Sequence, residues 1–295
     1  MIEVRRDAGL SDLIPPEAEV EMLADGFEAT EGPLWLPDGS LLFQDRAAGR
    51  THRIARDGSL SLLRDQTRGA NGQTFDSQGR IVFCEQDGRR VSRMDPDGSG
   101  VETVVEAFEG KRLNSPNDIV CRSDGLLFFT DPPYGAPPDR PLHFQGVFAL
   151  DRSGQLSLLV DDFEKPNGLA FSPDEQTLYI NDTARDHVRA FEVEPSGRFA
   201  PGSGRVVATV DPAEQGGPDG IKVDREGRLY LAVAEGIWVF EPSGRLLGIL
   251  ALPKRPYNLC WCGEAVDTIA ITAGDSVYRV RLNVRGIMPP FFHRA

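Results

Sequence analysis

KPNGLAFSPDEQTLYIND, residues 165–182, opens with a small polar signature, runs into an apolar strand, crosses a Pro-Asp-Glu turn and returns as a second strand. The same plan recurs five more times. It appears in EGPLWLPDGSLLFQD from Glu31, in ANGQTFDSQGRIVFCE around Asn71 and in SPNDIVCRSDGLLFFTD around Asn117. It returns in GPDGIKVDREGRLYLAV around Asp219 and in RPYNLCWCGEAVDTIAITA around Asn258. Successive signatures lie 39 to 52 residues apart. A four-stranded propeller blade takes about 40–50 residues, so six copies fill the chain.

Local chemistry agrees with that count. The turns PDG (37–39), SQG (77–79), SDG (123–125), PDE (173–175) and REG (225–227) supply residues that tolerate tight-turn geometry. The strands beside them alternate and are rich in Val, Ile, Leu and Phe. A second hairpin follows in most repeats, as in HRIARDGSLSLL and WVFEPSGRLLGIL. No 12-residue amphipathic helical pattern stands out, which argues against parallel βαβ folds. The expected fold is all-β, a six-bladed β-propeller with a central channel. Residues 19–288 form its single domain, 1–18 an N-terminal arm and 289–295 a C-terminal tail. Residues 19–25 (EVEMLAD) are expected to add the closing strand to the last blade and so remove an exposed sheet edge.

Of 295 residues, 45 are acidic and 32 basic, a formal net charge of −13. That balance speaks against nucleic acid or an anionic membrane as partner, since both call for clustered Lys and Arg. No run approaches the roughly 20 apolar residues of a membrane span. The N-terminus lacks an apolar signal-peptide core, so a cytoplasmic location is expected. Cys84, Cys121, Cys260 and Cys262 sit in or beside strand-like runs, with a C-x-C spacing unlike metal or redox pairs, and read as reduced, buried thiols.

The innermost strand of each propeller blade lines the channel, so one position per repeat falls on a ring around the axis. That ring reads Glu31, Asn71, Asn117, Asn167, Asp219, Asn258. Asx turns explain such residues singly. Six oxygen donors in register, without Lys or Arg neighbours, would repel one another unless a cation sat among them. Hard divalent ions take mixed carboxylate and amide sets, Ca2+ above all. Other motifs carry less. DPDGSGVETVVE (95–106) imitates an EF-hand loop but is flanked by strand-like sequence, so it reads as a hairpin. No G-x-S-x-G elbow, H-E-x-x-H or Walker loop is present. His52, His143, His187 and His293 share no repeat position. His143 lies in DPPYGAPPDRPLHFQG (131–146), the longest insertion, which is able to overhang the channel mouth.

Taken together, EGP (31–33), NSPND (114–118), DPPYG (131–135), FQGVFALD (144–151), KPNGLAFSPDE (165–175) and PDGIKVD (218–224) resemble the senescence-marker-protein/gluconolactonase/luciferin-regenerating-enzyme family over residues 17–285. The longer NSPND and DPPYG versions look most like its bacterial gluconolactonase branch. The resemblance implies one catalytic divalent metal in the channel, Ca2+ or else Zn2+, Mn2+ or Mg2+. It implies Glu31, Asn167 and Asp219 as ligands, with Asn117 a fourth ligand or a substrate contact. Some members place an Arg two residues before that Asn. Here the position is Ser115, with Arg112 three residues further upstream.

The expected activity is metal-dependent hydrolysis of a small sugar lactone. Asp219 is the candidate general base, and Glu31 serves mainly as a charge-balancing ligand. Asn117, Asn71, Asn258, Arg112 and His143 are candidate substrate contacts. Two rival readings are hydrolysis of other esters, such as phosphotriesters or non-sugar lactones, and a non-catalytic Ca2+- or ligand-binding propeller. The sequence does not specify an oligomeric state.

Overall fold

A computed structural model describes residues 2–211 and 216–292. Among the described residues six antiparallel sheets, five of four strands and one of five, surround a central channel, each running from an inner strand outward. The inner strands are Thr30–Trp35, Ala70–Phe75, Ile119–Cys121, Pro166–Phe171, Ile221–Val223 and Pro256–Cys262. The six predicted signatures stand at or just before these strands. Among the described residues no α-helix occurs. The EF-hand-like stretch is a hairpin, with Arg90–Met94 paired to Glu102–Val105. No described helix is long and apolar enough to cross a membrane.

The second strands of the blades are near-continuous apolar runs such as Ile81–Glu85, Leu127–Asp131 and Leu229–Val233, buried on both faces, so each blade must pack against two neighbours. The core accordingly divides into six hydrophobic clusters, one in each interface between adjacent blades. Cys84, Cys121, Cys260 and Cys262 lie within these interfaces as free, buried thiols. Burial pushes Cys121 and Cys260 up to about 12, so both stay protonated and inert.

Glu21–Ala24 pairs antiparallel with Ser276–Arg281, so the chain's beginning completes its last blade. Next to that seam, Thr30 donates its hydroxyl to the carbonyls of Gly274 (3.2 Å) and Ser276 (2.9 Å). The preceding segment is no loose arm. Val4–Arg5 adds a fifth strand to the outer edge of blade five, against Leu246–Ala251, and Leu10 is fully buried between blades five and six. At the other terminus Ile287–Pro290 lies across one opening of the channel, and Phe292 packs on Phe75 at 6.2 Å.

Candidate active site

The channel has two chambers. One, of about 320 Å3, is lined mostly by apolar residues of the inner strands, among them Leu34, Ile119, Ala170, Val223 and Cys260, with the polar Gln73 and Thr74 from the second blade, and is covered by Ile287–Pro290. It offers little convergent polar chemistry. The other, of about 380 Å3, opens at the opposite end and is lined by Glu31, Asn71, Asn117, Asn167 and Asp219. Five of the six predicted ring residues therefore meet in one cavity.

Between the chambers lies a waist made by the residue after each ring position: Gly32, Gly72, Asp118, Gly168, Gly220 and Asn258. The inner strands converge there until backbone meets backbone. A Cβ on Gly32, whose φ is +47°, would fall 2.0 Å from the Asn71 carbonyl oxygen, and one on Gly168 would fall 2.3 Å from that of Asp219. The Glu-Gly, Asn-Gly and Asp-Gly pairs of the signatures follow from that crowding.

Asn258 belongs to the waist, not to the ring. Its Oδ1 accepts from the Leu259 N–H at 2.9 Å and lies 3.5 Å from Lys222 Nζ. Aligning Pro256-Tyr257-Asn258 with Pro166-Asn167-Gly168 puts Tyr257 on the ring position, and Tyr257 lines the cavity. The signal was present in the Pro that opens both signatures. Arg112 is exposed and donates to the Gly88 carbonyl at 2.8 Å, away from the cavity. His143 is exposed as well, and of its loop it is Tyr134 and Gly135 that reach the site. His52 and His187 stand on blade strands without facing the cavity, and His293 lies outside the described residues. Lining residues with no repeat signal are Arg46, Gln86, Asp87, Tyr134, Thr183 and Arg255.

Three of the ring residues are held from behind. In three blades an Asp at the end of the second strand turns inward and is buried. Asp45 accepts from the N–H groups of Glu28 (3.2 Å) and Ala29 (3.0 Å), just ahead of Glu31. Asp131 accepts from Asn114 and Ser115, both 2.7 Å, ahead of Asn117. Asp182 accepts from Glu164 (2.8 Å) and Lys165 (3.0 Å), ahead of Asn167. A carboxylate that gathers orphan backbone donors fixes the loop entering the ring. Those three blades carry Glu31, Asn117 and Asn167. Neighbouring blades are tied too: Thr130 Oγ1 donates to the Asn167 carbonyl at 2.8 Å, and Asn181 Nδ2 to that of Asp219.

Asn167 turns its amide nitrogen toward Thr183 Oγ1 (3.1 Å) and Tyr134 Oη (3.3 Å), which leaves its oxygen for the cavity. Glu31 uses Oε2 to accept from the Gly32 N–H at 3.0 Å. Burial first, and the Asp219 charge second, push the Glu31 carboxyl well above the usual carboxylate range. Asp219 opens partly onto the cavity but is otherwise enclosed. Burial raises it to about 7 against the pull of Arg255 and Asn167. Two carboxyls held this way, beside amide oxygens, form a donor set that suits a hard divalent cation, which would restore both to the ionised form. Arg46 and Arg255 soften the repulsion without pairing with either. Asp118, one layer below, keeps a buried Oδ2 without a hydrogen-bond partner.

The model of the SMP-30/gluconolactonase/LRE-like region matches residues 29–275. The chain is 30% identical to the gluconolactonase of Zymomonas mobilis, over 94% of this chain and 85% of that protein. It is 27% identical to 6-deoxy-6-sulfogluconolactonase of Pseudomonas putida, over 89% of this chain and 94% of that one. A solved gluconolactonase structure from Xanthomonas campestris superposes with a TM-score of 0.87 at 34% identity, covering 95% and 94% of the two chains. With fold and sequence in agreement, this chain is a gluconolactonase-like member of the SMP-30/gluconolactonase/LRE-like family of lactone hydrolases.

Proposed function

We propose that the protein opens a sugar lactone with water at the polar end of its channel, with a divalent cation held by Glu31, Asn167, Asp219 and Asn117. The carrying observation is the meeting of those four side chains in one cavity. When bound, such an ion supplies Lewis acidity to a carbonyl oxygen and to water. The residues do the rest. Asp219, ionised beside the cation and facing the cavity, is placed to take the proton of the attacking water and return it to the ring oxygen as the C–O bond breaks. Glu31 contributes charge and position. Asn71 and Asn117 offer amide donors and acceptors to hydroxyl groups, and Tyr134 and Tyr257 cover ring carbons with aromatic surface.

The polar lining favours a sugar over a phosphotriester or an apolar ester, because a buried amide left without a hydroxyl partner costs about 1–3 kcal/mol. A calcium-binding role without turnover would leave Asp219 with no proton to accept. The test is a pH-indicator panel of lactones on EDTA-treated protein, with Ca2+, Zn2+, Mn2+ and Mg2+ returned singly. Lactone opening restored by one ion supports the reading. Tight ion binding with no turnover of any lactone refutes it.

A further inference from the structure

Ion pairs among the described residues sit mostly on the blades' outer strands and turns. Arg46 and Arg255 are different. Both line the catalytic cavity, and among the described residues neither has a carboxylate within ion-pair distance. Arg46 makes one long side-chain hydrogen bond, to Gln86 Oε1 at 3.4 Å. Arg255 has a buried Nε with no partner, and its guanidinium stands over the Tyr257 ring, 5.5 Å from the centroid. Gly216 lies close by, where a Cβ would fall 2.5 Å from the guanidinium carbon, so the absence of a side chain at 216 makes room for it.

A guanidinium that lies against a ring and a backbone, with no carboxylate partner among the described residues, is a pre-set fork for an oxyanion. Both arginines act on Asp219 electrostatically, so they sit within reach of the reacting end of the cavity. The cavity also holds three carboxylates, Glu31, Asp87 and Asp219. Once a divalent ion joins the two arginines, positive charge outweighs negative, and an anionic ligand is attracted rather than repelled.

We propose that Arg46 and Arg255 receive an anionic substituent of the substrate, so that the preferred lactone is an acidic one, carrying a carboxylate or phosphate in addition to its lactone group. The inference rests on the lactonase reading of the same site and narrows its substrate class. No new covalent step is involved, only recognition.

The experiment compares kcat/KM of the metal-loaded protein on three probes: glucono-1,5-lactone, glucaro-1,4-lactone and 6-phosphogluconolactone. The acidic lactones are expected to be preferred by about 10- to 100-fold, the range set by one or two charge-assisted hydrogen bonds. The carboxylate and phosphate arms identify which anion fits. Arg255→Leu and Arg46→Leu should each lower kcat/KM for the acidic probe at least about tenfold more than for gluconolactone, and Arg255→Lys should recover part of the loss. Arg279→Leu, which breaks a surface pair with Glu21, should leave the ratio unchanged. A ratio near one, or one unmoved by both leucine variants, overturns the proposal while leaving the lactonase reading intact. If no lactone is opened, the lactonase reading falls. Calorimetric titration with glucarate against gluconate then decides: tighter glucarate binding that is lost in Arg255→Leu supports the guanidinium pair, and equal binding refutes it.

Discussion

Replacing Asp182 with Ala removes the anchor behind Asn167, and the structure sets the size of the loss. The buried carboxylate accepts three backbone N–H groups, from Glu164 (2.8 Å), Lys165 (3.0 Å) and Ala184 (3.1 Å). Hydrogen bonds to a charged group are worth about 1.5–3 kcal/mol each, but water entering the vacated space recovers part of the sum. A net loss of about 3–5 kcal/mol follows, which lowers the melting temperature by on the order of 10 °C. The loop 164–166 then loosens, and Asn167 with it. Loss of such an outer partner costs about 10- to 100-fold in metal affinity. Asp224 supplies the control. It is just as buried and accepts from the N–H groups of Glu226 (3.0 Å) and Arg228 (2.9 Å), but at the opposite end of its blade. Asp224→Ala should therefore destabilise comparably and leave metal affinity alone. Scanning fluorimetry gives the first quantity and calorimetric Mn2+ titration below the melting transition gives the second. Equal affinity losses in the two variants, or none in Asp182→Ala, would refute the positioning argument.

Asp219→Asn is nearly isosteric but cannot accept a proton near neutral pH. It should lower kcat by about 100- to 10,000-fold even with saturating metal, and near-normal kcat at saturation would remove Asp219 as the base. The metal-free protein should lose stability as pH rises from about 4 to about 7. Glu31 and Asp219 have folded-state pKa values raised above their unfolded ones, so in that window the folded state holds more protons than the unfolded chain. Melts in EDTA should show a decline on the order of 5 °C that is smaller in Glu31→Gln/Asp219→Asn, where the buried Asp118 and Asp131 still contribute, and identical slopes in the two proteins would contradict it. Gly32→Ala should destabilise by about 3 kcal/mol or more, because the added Cβ meets the Asn71 carbonyl at a left-handed backbone position, and a denaturant midpoint within error of wild type would show the waist to be less crowded than described.

Much of this protein was written locally. Strand alternation, Asp-Gly-type turns and a recurring signature specify the blades, because each blade is built from short-range hairpins whose chemistry lies within about 45 residues. The pairing of Glu21–Ala24 with the last blade was legible for a related reason: an unpartnered apolar strand and an unclosed sheet edge need each other. The ring was legible as far as periodicity reached. Its sixth member slipped by one residue, Asn258 for Tyr257, because the inner strands carry irregular registers at that level, as between Pro256 and Asn258 or Pro166 and Leu169, and a bulge erases the period of two that would have fixed the phase. The motif that ends the second strands, Asp45, Asp131 and Asp182, repeats in the sequence, yet its purpose lies in backbone donors that only the folded hairpin brings to it. Arg46 and Arg255 had no signal at all, and Tyr134 had only that of the DPPYG motif and the 131–146 insertion that carry it. They stand on loops and strand ends of different blades, and no local pattern determines which such residues overhang a common cavity. Closing the ring of blades decides that, since only closure carries blade one to blade six and turns six separate loop ends into one mouth.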